Sequence, residues 1–171
     1  MARIVIFGNA GSGKSTLAKA LSRAYQAEHF DLDTIAWRTD QPTVRAHFAD
    51  SQRMLLRFIE THDKWIIEGC YSDLLKEATA YCTEMIFLNP GIEACVENCR
   101  NRPWEPHKYE SSEAQNANLE LLINWVREYE TRSDEFSLQA HQKLYEQYQG
   151  KKTEYKTRDD TSQRIKMSEA S

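Results

Sequence analysis

The sequence predicts an α/β fold built on a parallel β-sheet, and three observations carry that reading. Short apolar runs alternate along the chain with segments of helical periodicity, the pattern of strands joined by crossover helices. The runs at residues 4–7, 65–67 and 84–88 are rich in β-branched, aromatic and other apolar side chains, as strands covered on both faces require. Between the first run and the first helix lies GNAGSGKST, residues 8–16, which holds three of the chain's six glycines.

Each element follows in order. Residues 4–7 are the first strand, and Leu17, Ala18, Leu21, Ala24 and Tyr25 recur at helical spacing behind the glycine segment. HFDLD, residues 29–33, is a short second strand. Pro42 and Thr43 open a long helix that carries Val44, Phe48, Leu55, Phe58 and Ile59. A third strand at residues 65–67 is closed by Gly69, a helix at 72–80 crosses back, and residues 84–88 make the fourth. Another helix starts after Pro90 and stops before NRPWEPHKYESS, residues 101–112, whose two prolines and polar content mark a loop. Helical spacing resumes over 113–149 through Leu119, Leu122, Ile123, Val126 and Tyr129, then Phe136, Ala140, Leu144 and Tyr148, with TRSDEFS dividing the two sets. Gly150 is a helix stop, residues 153–157 read as a fifth strand at the sheet edge, and the polar tail after Asp159 is expected to be loose. Trp125, Tyr129 and Phe136 are expected in the core rather than as a stacking platform.

Composition narrows the function classes. At 171 residues the chain is expected to form one domain with a sizeable core. A net charge of −4 lacks the basic footprint of a nucleic-acid or membrane-surface binder, so neither contact is expected. No apolar run approaches the ~18 residues that span a bilayer, and the N-terminal run is too short for an export signal. The four cysteines show no C-x-x-C spacing. Cys95 and Cys99, four apart on an expected helix, read as buried free thiols rather than metal ligands. A cytoplasmic protein is the expectation.

The glycine segment is where chemistry enters. Gly8, Gly13, Lys14 and Ser15 fit G-x-x-x-x-G-K-[ST], a spacing whose backbone N–H groups wrap a di- or triphosphate while the next helix points its positive end at it. Gly8, Asn9, Ala10, Gly11, Ser12, Gly13, Lys14, Ser15 and Thr16 are therefore the expected nucleotide-phosphate cradle. Lys14 is expected to bridge the β- and γ-phosphates, and Ser15 to bind Mg²⁺.

In an open parallel sheet ligands sit beyond the carboxyl ends of the strands, so acids at strand ends matter. Asp31 and Asp33, two apart on an extended segment, would share one face and repel one another in a dry cleft. Mg²⁺, an arginine or a substrate hydroxyl would explain such a pair; so would a solvated turn in which an Asp caps a backbone N–H. Asp33 is the stronger candidate for an acceptor-side base and Asp31 the weaker, on the metal side. The fourth strand ends in neutral Asn89, whereas the third ends in Glu68, the better candidate to help hold Mg²⁺. Arg100 and Arg102 are the leading lid cations that could meet the transferring phosphoryl group, ahead of His107 and Lys108.

GNAGSGKSTLAKAL, LDTIAW, WIIEGCYS and MIFLNP, in that order over roughly the first 90 residues, resemble the nucleoside-monophosphate-kinase branch of the P-loop proteins, which includes adenylate and shikimate kinases. The chain is most similar there to the small adenylate-kinase-like proteins labelled as DNA topology modulation proteins. The resemblance implies a three-layer P-loop NTPase fold, a five-stranded parallel sheet of order 2-3-1-4-5, and a lid over about residues 101–112. FDLD is similar to the D-x-D of shikimate kinases, and Arg57-Phe58-Ile59-Glu60 echoes their R-x-x-E. Their triple glycine would fall near Gly69-Cys70-Tyr71, where one glycine stands, and the acceptor-gripping arginine of adenylate kinases would fall near Ser72. The expected function is Mg²⁺- and ATP-dependent phosphoryl transfer to a small molecule, its acceptor left open between hydroxyl and phosphate. The alternative is an ATP-binding regulator with little catalysis.

Overall fold

All residues, 1–171, are described by the computed structural model. Five strands, β1 (Arg3–Gly8), β2 (Glu28–Asp31), β3 (Trp65–Gly69), β4 (Glu84–Leu88) and β5 (Lys152–Tyr155), form one sheet in the order β2-β3-β1-β4-β5. Every pairing is parallel, as the alternation of strand and helix patterns predicts. Every residue of β3 and β4 is buried, while the edge strands β2 and β5 have no buried residue. Continuous apolar runs therefore mark the centre of the sheet, and mixed ones its edges.

Alternation along the strands divides the core in two. Val5, Phe7, Ile67, Met85 and Phe87 face α3 (Phe48–Thr61), α4 (Ser72–Thr79) and α7 (Leu138–Gln147). Ile4, Ile6, Ile66, Ile86 and Leu88 face the other way, onto Leu17, Ala18 and Leu21 of α1 (Lys14–Tyr25). Each such aliphatic or aromatic side chain, fully buried, contributes on the order of 1.5–3 kcal/mol. A third cluster joins α5 (Ile92–Arg100) to α6 (Ser112–Arg127) through Cys95, Val96, Cys99, Ile123 and Val126. All four cysteines are free, with Cys95 and Cys99 buried. Tyr129 and Phe136 are core residues and Trp125 packs against that core. No helix is long and apolar enough to cross a membrane.

Three expectations are corrected. β2 ends at Asp31 rather than Asp33, because Leu32 turns into the right-handed helical region and Asp33 opens a short helix, α2 (Asp33–Ala36). The Asp31 carboxylate accepts the Asp33 N–H at 2.9 Å, so the two acids do not leave one face of a strand. The long helix starts at Phe48, not at Pro42. Val44 and Phe48, which suggested an earlier apolar face, are exposed, and the segment instead pairs Arg45 with Trp37 in an isolated antiparallel bridge.

The third correction is the tail, which forms α8 (Arg158–Glu169) rather than a loose end. Its N-cap is Thr157, whose Oγ1 accepts the Asp160 N–H at 3.1 Å. Arg164 then makes a bidentate pair with buried Glu84 at 2.6 and 3.0 Å and donates to the Tyr25 hydroxyl at 3.1 Å. An ion pair with one apolar contact, Ile165, holds this helix, so no hydrophobic stripe announces it.

Candidate active site

The site begins at the carboxyl end of β1, where residues 8–13 loop back before α1. Gly13 has φ +98° and Gly11 φ +77°, conformations that side-chain-bearing residues rarely adopt. A side chain at Gly11 would also run into the Cys95 carbonyl and the Cys99 sulfur of α5. The loop is pinned from behind by two amides. Asn9 is buried and donates through Nδ2 to the Val126 carbonyl of α6 at 3.1 Å; Asn98 of α5 donates to the Gly11 carbonyl at 2.7 Å. Lys14 Nζ folds over the loop onto the Asn9 carbonyl at 2.8 Å. Such a loop presents successive N–H groups to an anion at the start of a helix. The Ser12 hydroxyl is buried in it with no hydrogen-bond partner, and a phosphate oxygen would supply one.

Beside the loop, Glu68 ends its run on β3 between β1 and β2, in register with Ile6 and Asp31. It is buried, and its Oε1 accepts from Ser15 Oγ at 2.8 Å and from His29 Nε2 at 3.1 Å. Two of the expected metal-site residues, Ser15 and Glu68, thus touch. Asp31 stands next to them in the sheet, but its carboxylate accepts the Asp33 N–H. Burial first, then the charges of Asp33 and Glu68, push its carboxyl up to about 6. No group of three or more His, Cys, Asp or Glu side chains could cage a metal ion. A cation on Ser15 and Glu68 would take its remaining oxygens from water and phosphate, which suits Mg²⁺.

Asp33 forms the other half of the site. Tyr71, at the start of α4, donates its hydroxyl to Asp33 Oδ1, and Trp37 Nε1 donates to that same hydroxyl at 2.8 Å. On Oδ2 sits Lys108 Nζ at 3.1 Å. Burial alone would raise the Asp33 carboxyl, but the Lys108 ammonium, the Tyr71 hydroxyl and Lys14 together outweigh it and hold the group below the usual range. Desolvation would likewise lower Lys108; Asp33, Asp31 and Glu105 reverse that and keep it protonated.

Lys108 comes from the segment between α5 and α6, which is tied to α6 by Gln115. The Gln115 side chain accepts the Glu105 N–H at 2.8 Å and donates to the Pro103 carbonyl at 3.0 Å. Within the segment Arg102 Nε faces Glu105 at 3.3 Å, whereas Arg100 is exposed and pairs with no carboxylate. The structure thus brings together Lys14, Ser15, Glu68, Asp33 and Lys108, and leaves both expected lid arginines away from Asp33. Lys108 stood with His107 behind the two arginines, Tyr71 and Trp37 were missed, and Glu105 went unread. Tyr71 lies two residues past the third strand's carboxyl end, a signal that was available.

Arg57 of the R-x-x-E echo lies exposed near the end of α3, just before β3 begins, and so toward the amino edge of the sheet. Arg45 takes the place beside the site: it lies over the Tyr71 ring at 4.9 Å.

A sequence profile described as "AAA domain" matches residues 4–120. The "Uncharacterized protein YqaC" of Bacillus subtilis is 25% identical over 146 residues, covering 80% of this chain and 78% of that protein. Among solved structures, a gluconokinase from Sinorhizobium meliloti superposes with a TM-score of 0.55 at 16% identity, over 99% of this chain and 90% of that one. A shikimate kinase from Bacteroides thetaiotaomicron gives 0.55 at 18% identity, over 97% and 95%. A deoxyadenosine kinase from M. mycoides with bound dATP gives 0.52 at 13% identity, over 96% of each chain. Matched over most of its length by that profile, and superposing on these structures over nearly all of it, the chain belongs to the AAA-domain family and has the fold of the P-loop small-molecule and nucleotide kinases.

Proposed function

We propose that the protein transfers the γ-phosphoryl group of ATP to a hydroxyl of a small molecule. The observation that carries this reading is Asp33: a carboxylate kept ionised by Lys108 and Tyr71, beside a phosphate loop, at the end of the sheet where acceptors bind.

The roles divide as follows. The loop amides of residues 8–16 and the Ser12 hydroxyl hold the phosphates, and Lys14 leaves the Asn9 carbonyl to lie on the β- and γ-oxygens. Ser15 and Glu68 would hold Mg²⁺, which when bound neutralises charge developing on the phosphate oxygens. Asp33 accepts the acceptor's hydroxyl proton on Oδ2, the oxygen that Lys108 also contacts, and Tyr71, itself fixed by Trp37, keeps that carboxylate aimed. Arg100, at the end of α5 and paired with no carboxylate, is the cation able to meet the transferring group, with Arg102 beside it, while the segment that carries Lys108 would exclude water. The four free cysteines and the need for ATP support a cytoplasmic location.

Lys108 on Asp33 also gives some support to a second reading, an ATP-binding regulator that turns over little. ADP release across shikimate, gluconate, nucleosides and nucleoside monophosphates separates the two. Turnover with one acceptor well above background hydrolysis is expected; tight ATP binding without any acceptor-dependent turnover would favour the regulator.

A further inference from the structure

On the reading that Asp33 takes the acceptor's proton, the charges around it constrain what the acceptor is. An acceptor bearing a carboxylate or phosphate needs a cation with N–H donors to offer, because an anion drawn out of water and left unpaired is strongly disfavoured. A guanidinium fork is the usual partner. On this side of the site no arginine has a fork to offer. Arg45 donates through Nε to the Ala36 carbonyl at 3.1 Å, through one terminal nitrogen to Glu135 at 2.8 Å and through the other to Asp73 at 3.2 Å. Arg132 holds Asp134 at 3.0 and 2.9 Å and lies over the Trp125 ring. Arg102 faces Glu105, and Lys108 is divided between Asp33 at 3.1 Å and Glu105 at 3.3 Å. Lys14 and Arg100, which pair with no carboxylate, belong to the phosphate loop and to the helix that buttresses it.

The balance is acidic even before ATP arrives: Asp31, Asp33, Asp73, Glu105, Asp134 and Glu135 outnumber Arg45, Arg102, Lys108 and Arg132. Trp37, parallel to Phe136 and hydrogen-bonded to the Tyr71 hydroxyl that reaches Asp33, is only partly buried and adds aromatic surface near Asp33. Such a face suits a planar neutral ring or a cation. We infer that the acceptor is a non-anionic alcohol, an uncharged or positively charged hydroxyl compound carrying no carboxylate or phosphate.

The step balances without a further reactant. The hydroxyl proton passes to Asp33, the hydroxyl oxygen forms a bond to the γ-phosphorus, and the bond from that phosphorus to the β,γ-bridging oxygen breaks with its electron pair leaving on ADP. The product is then a phosphate monoester.

A deproteinised small-molecule extract, split on a strong anion exchanger at neutral pH, separates neutral and cationic compounds in the flow-through from retained acids and phosphates. The full chain is incubated with Mg²⁺, γ-labelled ATP and each half. Labelled product is expected from the flow-through at about tenfold or more over the retained half, as a site that leaves an anion unpaired discriminates strongly. Asp33→Asn should remove it. Label entering mainly the retained half, or both halves equally, overturns the charge inference and leaves the kinase reading standing. Label entering neither half, with ATP still raising the Tm, contradicts the kinase reading itself, and this inference falls with it.

Discussion

The phosphate loop and the Asp33 cleft lie side by side, yet they are built in opposite ways. The loop is one continuous segment whose function resides in its backbone, with Asn9 and Asn98 fixing it from behind. The cleft gathers Asp33, Tyr71, Lys108 and Arg45 from separate parts of the chain and joins them through their side chains. A backbone device tolerates little change in shape, whereas a side-chain device can be re-paired. Damage to the loop should therefore appear as lost stability and binding, and damage to the cleft as altered chemistry.

The largest stability effect is expected from Gly11→Ala, which combines a positive φ with a methyl group driven against the Cys95 carbonyl. The cost is roughly 2–4 kcal/mol, read as a fall in denaturation midpoint together with weaker ATP binding. A variant as stable as the wild type would break the view that α5 sets the loop's shape.

Acid should act next most strongly, through a group outside both regions. His141 is fully buried, with one ring nitrogen on the Cys70 carbonyl at 2.8 Å and the other on the Tyr129 hydroxyl at 2.6 Å. The neutral ring satisfies both, donating to the carbonyl and accepting from the hydroxyl. Burial first, with Lys14 adding, brings its pKa down from 6.5 to about 4. The unfolded chain therefore takes up the proton first, so stability falls as pH drops through that window and levels off below it. The loss is on the order of 3 kcal/mol. His141→Asn or His141→Gln, followed by denaturant melts across that range, should flatten this part of the profile.

Lys108→Ala should cost the least stability, under about 1 kcal/mol, because the pair with Asp33 is only partly buried. Its effect belongs to chemistry. Without the ammonium the Asp33 carboxyl rises, so the acidic limb of kcat/KM should move to higher pH, an outcome that an idle surface ion pair would not produce.

The same contrast explains what could be read from the sequence. Sheet order came with the resemblance that the phosphate loop anchors, and the loop residues could be named because local spacing specifies them. The Asp33 cleft was half legible. Asp33 announced itself by strand-end position, but at Leu32 the chain turns and the Asp31 carboxylate takes the Asp33 N–H, which strand-like alternation conceals. Lys108 could not be ranked above Arg100 and Arg102, because the fold of residues 101–111 rests on Gln115 and Glu105, contacts that composition does not encode. Arg57 matched a written pattern, yet the late start of α3 gave its place to Arg45. α8 was missed because one buried ion pair, rather than an apolar face, secures it.

The central claim is that the two regions do separate work, the loop holding ATP and Asp33 activating the acceptor. Thermal melts with and without Mg-ATP, run on Lys14→Ala and Asp33→Asn beside acceptor-dependent ADP release, test it most directly. A ligand at a hundredfold excess over Kd stabilises the wild type by about 2.7 kcal/mol. Lys14→Ala should lose most of that shift, while Asp33→Asn should keep it and still lose roughly 10²-fold or more in kcat/KM for the acceptor. Equal shifts in wild type and Lys14→Ala, or an Asp33→Asn variant that loses its ATP shift or keeps full turnover, would contradict that division.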